Sequence, residues 1–276
     1  MTPAEKAAGT AGARPERFEF PGAAGDALAA RLDRPRGDPR AFAVFAHCFT
    51  CGKDLNAAAA IAGALTERGI AVLRFDFTGL GSSQGEFANT DFSSNVGDLV
   101  AAADHLREHH QAPSLLIGHS LGGAAALSAA GAIEEVRAVA TVGAPAEAAH
   151  VERLLGDATT EIERRGELEV VLAGRSFKVR REFLEDIRAQ ALLEQVAAMQ
   201  RALIVFHAPG DDYVGIDNAR RIFEAAAHPK SFVSLDDADH LLSRREDAAY
   251  VGEVLGAWAN RYIGAEPAAR APDPGR

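Results

Sequence analysis

Short apolar runs separated by polar or glycine-rich breaks set the rhythm of this chain. Residues 41–47 (AFAVFAH), 70–76 (IAVLRFD), 112–117 (APSLLI), 136–143 (VRAVATVG), 203–207 (LIVFH) and 231–235 (SFVSL) are largely apolar rather than alternating. Such runs fit strands buried on both faces. Two earlier segments, 18–20 and 28–32, flank the turn-rich residues 21–26 and read as an antiparallel hairpin. Residues 55–68, ending at Gly69, and residues 91–109 have helical composition, and an Ala-rich helix former runs over 123–130. Strands that alternate with helices imply an α/β fold: a mainly parallel, twisted sheet with helices on both faces. The hairpin belongs at one edge. Residues 144–200 break the rhythm. They are charged, with a hairpin pattern at 167–179 and a helical pattern at 181–199. An insertion between sheet strands, above their C-terminal ends, would form a small cap; the plainer alternative is one more surface helix pair. The expected division is a disordered N-terminal segment (1–17), one domain (18–263) and a Pro/Ala-rich tail or linker (264–276).

Composition narrows the function classes. The chain has 276 residues, 47% apolar and 25% charged, with a formal net charge of -10. That is ordinary for a soluble globular domain, and an acidic chain without Lys/Arg clusters is a poor nucleic-acid binder. Residues 115–133 approach the length of a membrane span, but they contain His119, Ser120 and several glycines, so no membrane partner is expected. The first residues lack a secretory pattern. Two cysteines cannot build a disulfide framework, and the expected compartment is the cytoplasm.

Residues 118–122 spell Gly-His-Ser-Leu-Gly between a strand pattern and a helix pattern. A Gly-x-Ser-x-Gly on a strand-to-helix turn lifts the serine hydroxyl above the sheet in strained backbone geometry. A serine hydroxyl needs a base, and the base needs an orienting acid. Asp211 and Asp212 follow the 203–207 strand, and His240 follows the 231–235 strand. The order Ser, Asp, His is that of the elbow-type serine hydrolases. The candidates are Ser120 as nucleophile, His240 as base and Asp211 as orienter, with Asp212 the alternative acid. Asp239 is the weaker orienter. His119 and His207 read as packing residues, and His105, His109 and His110 as helix surface. The oxyanion would take backbone N–H groups from Leu121 and from the loop after the 41–47 strand, where Phe49 is preferred over Cys48.

Cys48 and Cys51 are the only cysteines, spaced Cys-x-x-Cys beside that loop. Two readings stand: a candidate redox pair, and two reduced thiols packing a tight turn. No metal is expected, since His47, Cys48 and Cys51 crowd one turn and no second Cys pair completes a tetrahedron. No cofactor is expected either.

These residues resemble the α/β-hydrolase superfamily over about residues 18–263. The turn His47-Cys48-Phe49 stands where the family often has His-Gly-x. Asp76-x-x-Gly79-x-Gly81-x-Ser83 matches its Asp-x-x-Gly-x-Gly-x-Ser loop, Asp211-x-x-Val214 its acid loop, and Asp239-His240 its histidine loop. The run from Ala46 to Asp54, with residues 74–79 and 228–232, is most similar to hydrolase modules that precede an OsmC-type domain in fused proteins. The resemblance implies an esterase-like serine hydrolase of a bacterial cytoplasm, acting on a small-molecule ester, with an OsmC-type domain as a partner in related chains. Acyl transfer, thioester cleavage and a redox-responsive module stand as alternatives. A peptidase is disfavoured, because the 144–200 segment shows no evident anchor for a peptide N-terminus. A monomer or homodimer is expected.

Overall fold

The computed structural model describes residues 15–48, 51–172 and 174–263. The expected disorder before residue 15 and the tail after 263 lie outside these residues. Eight strands form one sheet in the order β1-β2-β4-β3-β5-β6-β9-β10. They are β1 (Glu16–Pro21), β2 (Ala27–Asp33), β3 (Ala41–Ala46), β4 (Ile70–Phe75), β5 (Leu115–His119), β6 (Ala138–Val142), β9 (Ala202–His207) and β10 (Lys230–Ser234). β1 and β2 pair antiparallel, as do β2 and β4; every other neighbouring pair is parallel. The expected sheet with an antiparallel edge hairpin is what forms.

The continuous apolar runs have a direct cause. Every residue of β3, β4, β5, β6 and β9 is buried, because helices cover both faces. Ala43, Phe45, Val72 and Ile117 pack under α1 (Asn56–Thr66) and α9 (Arg245–Ala259). Their neighbours Val44, Ala46, Leu73 and Leu116 point the other way, under α2 (Phe92–His109), α3 (Leu121–Ala129) and α8 (Asp217–Ala225). α2 starts at an Asp91 cap: its carboxylate accepts from the Ser94 N–H while the Ser94 hydroxyl accepts from the Asp91 N–H.

Between β6 and β9 the chain runs through α4 (Glu152–Leu155), α5 (Ala158–Arg165), the hairpin β7 (Glu167–Leu172) and β8 (Arg175–Arg180), α6 (Arg181–Ala189) and α7 (Leu192–Ala198). The helix expected over 181–199 is two helices. Gln190 is extended (φ -72°, ψ 125°), and its side-chain amide donates to the Asp186 carbonyl at 3.2 Å, satisfying a helix-end acceptor. Among the described residues, no helix is long and apolar enough to cross a membrane.

The chain moves from β3 to β4 on one side, then returns past β3 to place β5 on the other. The loops after β3 and β5 thus leave the C-terminal edge at a topological switch point, where open α/β sheets form their clefts.

Candidate active site

Ser120 stands between β5 and α3 with φ 55° and ψ -126°, a left-handed conformation that non-glycine residues seldom adopt. Two bonds hold it: its N–H donates to the Val142 carbonyl at 2.9 Å, and its own carbonyl accepts from Gly123 N–H at 2.8 Å. The flanking glycines are required by space. A Cβ on Gly118 would meet the backbone of Gly122 and Gly123, and one on Gly122 would meet the carbonyl oxygens of Ala46 and His47. Helix α3 can therefore seat against β3 and β5 only without side chains there.

Asp211 lies in the turn after β9 and is 6% exposed. Its Oδ1 accepts the N–H groups of Tyr213 (2.9 Å) and Val214 (2.8 Å), and its Oδ2 accepts His240 Nδ1–H at 2.7 Å. Burial pushes this carboxyl up, but the His240 and backbone hydrogen bonds outweigh it and hold the group below the usual aspartate value. Asp212, one residue on, is exposed. His240 Nε2 lies 2.9 Å from Ser120 Oγ, so the hydroxyl donates to the free ring nitrogen. The structure thus joins Ser120, His240 and Asp211 in one hydrogen-bonded line. Asp239 is occupied elsewhere, accepting Ser243 N–H at 2.8 Å.

Several neighbours hold this line in place. His119 Nε2 donates to the His240 carbonyl at 2.7 Å, tying the elbow to the histidine loop. Burial, with His240 close by, lowers the His119 pKa to about 4 and keeps it neutral. His207 Nε2 donates to the Val214 carbonyl at 2.6 Å and pins the acid loop. The Tyr213 ring stacks on His240 with centroids 5.2 Å apart. Gly143 (φ +57°) closes the floor: a Cβ there would stand 3.3 Å from both Asp211 Oδ2 and His240 Nδ1. His119 and His207, expected only to pack, hydrogen-bond the two loops. Nothing in the local pattern separates such a histidine from a core one.

The loop after β3 is anchored from below. Asp76 accepts Lys53 N–H at 2.6 Å, Lys53 Nζ at 2.7 Å and Ser82 N–H at 2.9 Å. Burial opposes ionisation of Asp76, but these bonds prevail and its pKa is lowered. Arg74, fully buried, reaches the Lys53 carbonyl and Asp33. In the sequence Lys53 stands two residues after Cys51 and Asp76 opens the glycine-rich loop, and their pairing comes only with the fold. Leu121 is the first residue of α3, so its N–H has no acceptor within the helix and stands directly after the serine. Phe49 lies outside the described residues.

Cys48 and Cys51 are joined as a disulfide with Cα atoms 5.2 Å apart. The reading of two reduced thiols packing a turn is replaced by a bonded pair here; the loop turns back so that Cys51 N–H donates to the Cys48 carbonyl at 3.1 Å, which brings the two side chains together. Cys48, Cys51 and His119 also form a group whose ligand atoms all lie within 4.8 Å of one another.

Residues 37–247 match the family described as serine aminopeptidase, S33. No curated protein matches the chain. Among solved structures, the esterase domain of a Rhodothermus marinus protein is 52% identical, covering 90% of this chain and 99% of its own, with a TM-score of 0.75. Est1E of Butyrivibrio proteoclasticus, solved with ferulic acid, is 20% identical with a TM-score of 0.74, covering 89% of this chain and 99% of its own; at that distance it shows the fold alone. By sequence and by fold, the chain belongs to the serine aminopeptidase S33 family of the α/β-hydrolase superfamily.

Proposed function

We propose that the protein hydrolyses carboxylic esters of small molecules through an acyl-enzyme on Ser120. The observation that carries this is the line Ser120 Oγ, His240 Nε2, His240 Nδ1, Asp211 Oδ2, with links of 2.9 and 2.7 Å. His240 accepts the serine proton as Oγ attacks the acyl carbon, then returns it to the leaving alcohol. Asp211, kept ionised, holds the imidazole in the tautomer that presents a free Nε2. The Leu121 N–H donates to the oxyanion, and the second donor comes from the loop after β3, where Phe49 is our assignment. Water, activated by His240, then frees the acid.

Four acids of the inserted segment are held in ion pairs, which leaves them less available to a peptide ammonium. Glu152 and Glu163 bind Arg188, Glu161 binds Arg164 and Arg165, and Glu167 binds Lys178 and Arg180. These carboxylates are already engaged and are poorly placed to grip a peptide ammonium. The 52% identical relative is itself described as an esterase domain, which also suits a module partnered by an OsmC-type domain in a bacterial cytoplasm. Thioester cleavage and acyl transfer would share the same acyl-enzyme and differ in the acyl donor or acceptor.

The test is hydrolysis of p-nitrophenyl acetate, butyrate and octanoate by wild type and Ser120→Ala, with a fluorophosphonate probe as a second readout. Turnover and labelling by wild type alone support the mechanism, and the chain-length profile sizes the acyl pocket. Equal rates and equal labelling would overturn it.

A further inference from the structure

Two buried ring nitrogens near the site, His119 Nδ1 and His207 Nδ1, have no hydrogen-bond partner, and only His119 lies beside the two cysteines in a group able to hold a metal. His119 is 3% exposed, and its Nε2 donates to the His240 carbonyl. That bond fixes the tautomer: the proton sits on Nε2, so Nδ1 carries a lone pair. Nδ1 is buried and has no hydrogen-bond partner, an arrangement that calls for a reason. Beside the ring is the Cys48–Cys51 pair, whose sulfurs lie with a His119 ring nitrogen inside the 4.8 Å cluster.

We propose that, once the disulfide is reduced, Cys48, Cys51 and His119 bind one zinc ion. Two thiolates and a neutral imidazole are a zinc donor set, and a ligating histidine commonly donates its other N–H to a backbone carbonyl, as His119 does to His240. Charge selects zinc over copper(I). Two thiolates and Zn²⁺ sum to zero, whereas copper(I) would leave a net negative charge beside a 4% exposed cysteine. With three protein ligands, solvent fills the fourth position. The redox step balances through exchange with an external dithiol. The dithiol is oxidised to its own disulfide, Cys48 and Cys51 take its two hydrogens, and both protons leave to solvent when zinc binds. The bonded pair seen here is the closed form of the site, and the disulfide and the ion exclude each other. An ion held there is bonded to the residue adjoining Ser120.

The sequence pattern argued against a metal because it offered only His47, Cys48 and Cys51 on one turn. Folding brings His119 from the next strand to the cysteines and turns its free nitrogen inward.

The test is zinc binding by the full chain, reduced with a dithiol and freed of it under nitrogen, in competition with a chromogenic chelator. Cobalt(II) reports thiolate ligation by its sulfur-to-metal absorption band. We expect one zinc per reduced wild-type chain and none in the oxidised protein. Affinity should fall at least tenfold in Cys51→Ser and in His119→Gln. Zinc affinity unchanged in a Cys48→Ser/Cys51→Ser double variant, or in a folded His119→Gln variant, would overturn the assignment. Cys51 is half-buried, so its variant carries the test should His119→Gln not fold. Binding is read without ester turnover, so failure here leaves the hydrolase reading standing, and the reverse.

Discussion

The central strands and the segment inserted between β6 and β9 bury apolar surface in different ways. In β3 to β6 and β9, each residue is buried because helices lie on both faces. The inserted hairpin has one covered face: Val170, Phe177 and Val179 are buried, while most residues between them are exposed or half-buried. Phe177 meets Phe87 edge-on at 5.3 Å, and Phe183 lies 6.2 Å from the same ring. Around these anchors the surface is held by ion pairs. The Ser120 and Asp211 loops spring from the doubly covered layer, and the His240 loop from the edge strand β10, none of whose residues is fully buried. Dry packing is concentrated in the strands that carry Ser120 and Asp211, and the insertion rests on it with a thinner core.

The largest effect expected from breaking this contrast is chemical, with the packing untouched. Ser120→Ala should lower ester turnover by roughly 10⁶-fold. Its unfolding free energy should stay about equal, since alanine keeps the φ of 55° and the backbone bonds to Val142 and Gly123. Activity assays beside urea denaturation check both halves.

Asp211→Asn comes next, with a loss of about 10⁴-fold, because an amide no longer enforces the tautomer that leaves Nε2 free. It also has a pH signature. The Asp211 pKa is lower folded than unfolded, so its ionised form adds stability above the ordinary value of about 3.9. That contribution disappears as pH falls through the folded value. The difference in unfolding free energy between wild type and Asp211→Asn should be constant near neutrality and shrink in acid. A difference that grows in acid would contradict the hydrogen-bonded carboxylate.

Phe183→Ala sharpens the comparison from the other side. Its ring is 2% exposed in the insertion's core, and its loss should cost about 3–5 kcal/mol. If the insertion opens on its own, hydrogen exchange in 152–198 should rise while β3 to β6 stay protected. Uniform deprotection would mean that the two regions unfold as one. The smallest effect belongs to the insertion's rim. Arg188→Leu breaks the pairs to Glu152 and Glu163, yet should cost no more than about 1 kcal/mol, because exposed pairs are screened.

Legibility in the sequence follows the same division. The double-faced strands announce themselves as unbroken apolar runs, and α2 by the helical composition of residues 91–109. Ser120, Asp211 and His240 were legible because each sits on a turn directly after a strand, so chain order stands in for geometry. α8 and α9 were not legible. In α9, Gly252 and Gly256 face α1, where a Cβ on Gly252 would come within 2.7 Å of Ala64 Cβ. Glycine is a poor helix former, and here close helix contact overrides propensity. The break at Gln190 likewise depends on an Asp186 that also holds Ser93 of α2, 93 residues away.

The amino-acid sequence by itself determined the class of fold, the elbow and the order of the three groups. These rest on local chemistry: apolar continuity, glycines where no Cβ fits, and polar residues at strand ends. Tertiary structure puts Asp211, the acid the sequence preferred, against His240, and it alone decided that Lys53 and Asp76 clamp the loop after β3. It also decided that His119 turns an unpartnered nitrogen inward, in a cluster with Cys48 and Cys51. Each of those outcomes is a meeting of side chains from different strands. Hydrogen-bond direction and burial, which arise only when distant segments pack, choose among residues that the sequence leaves equivalent.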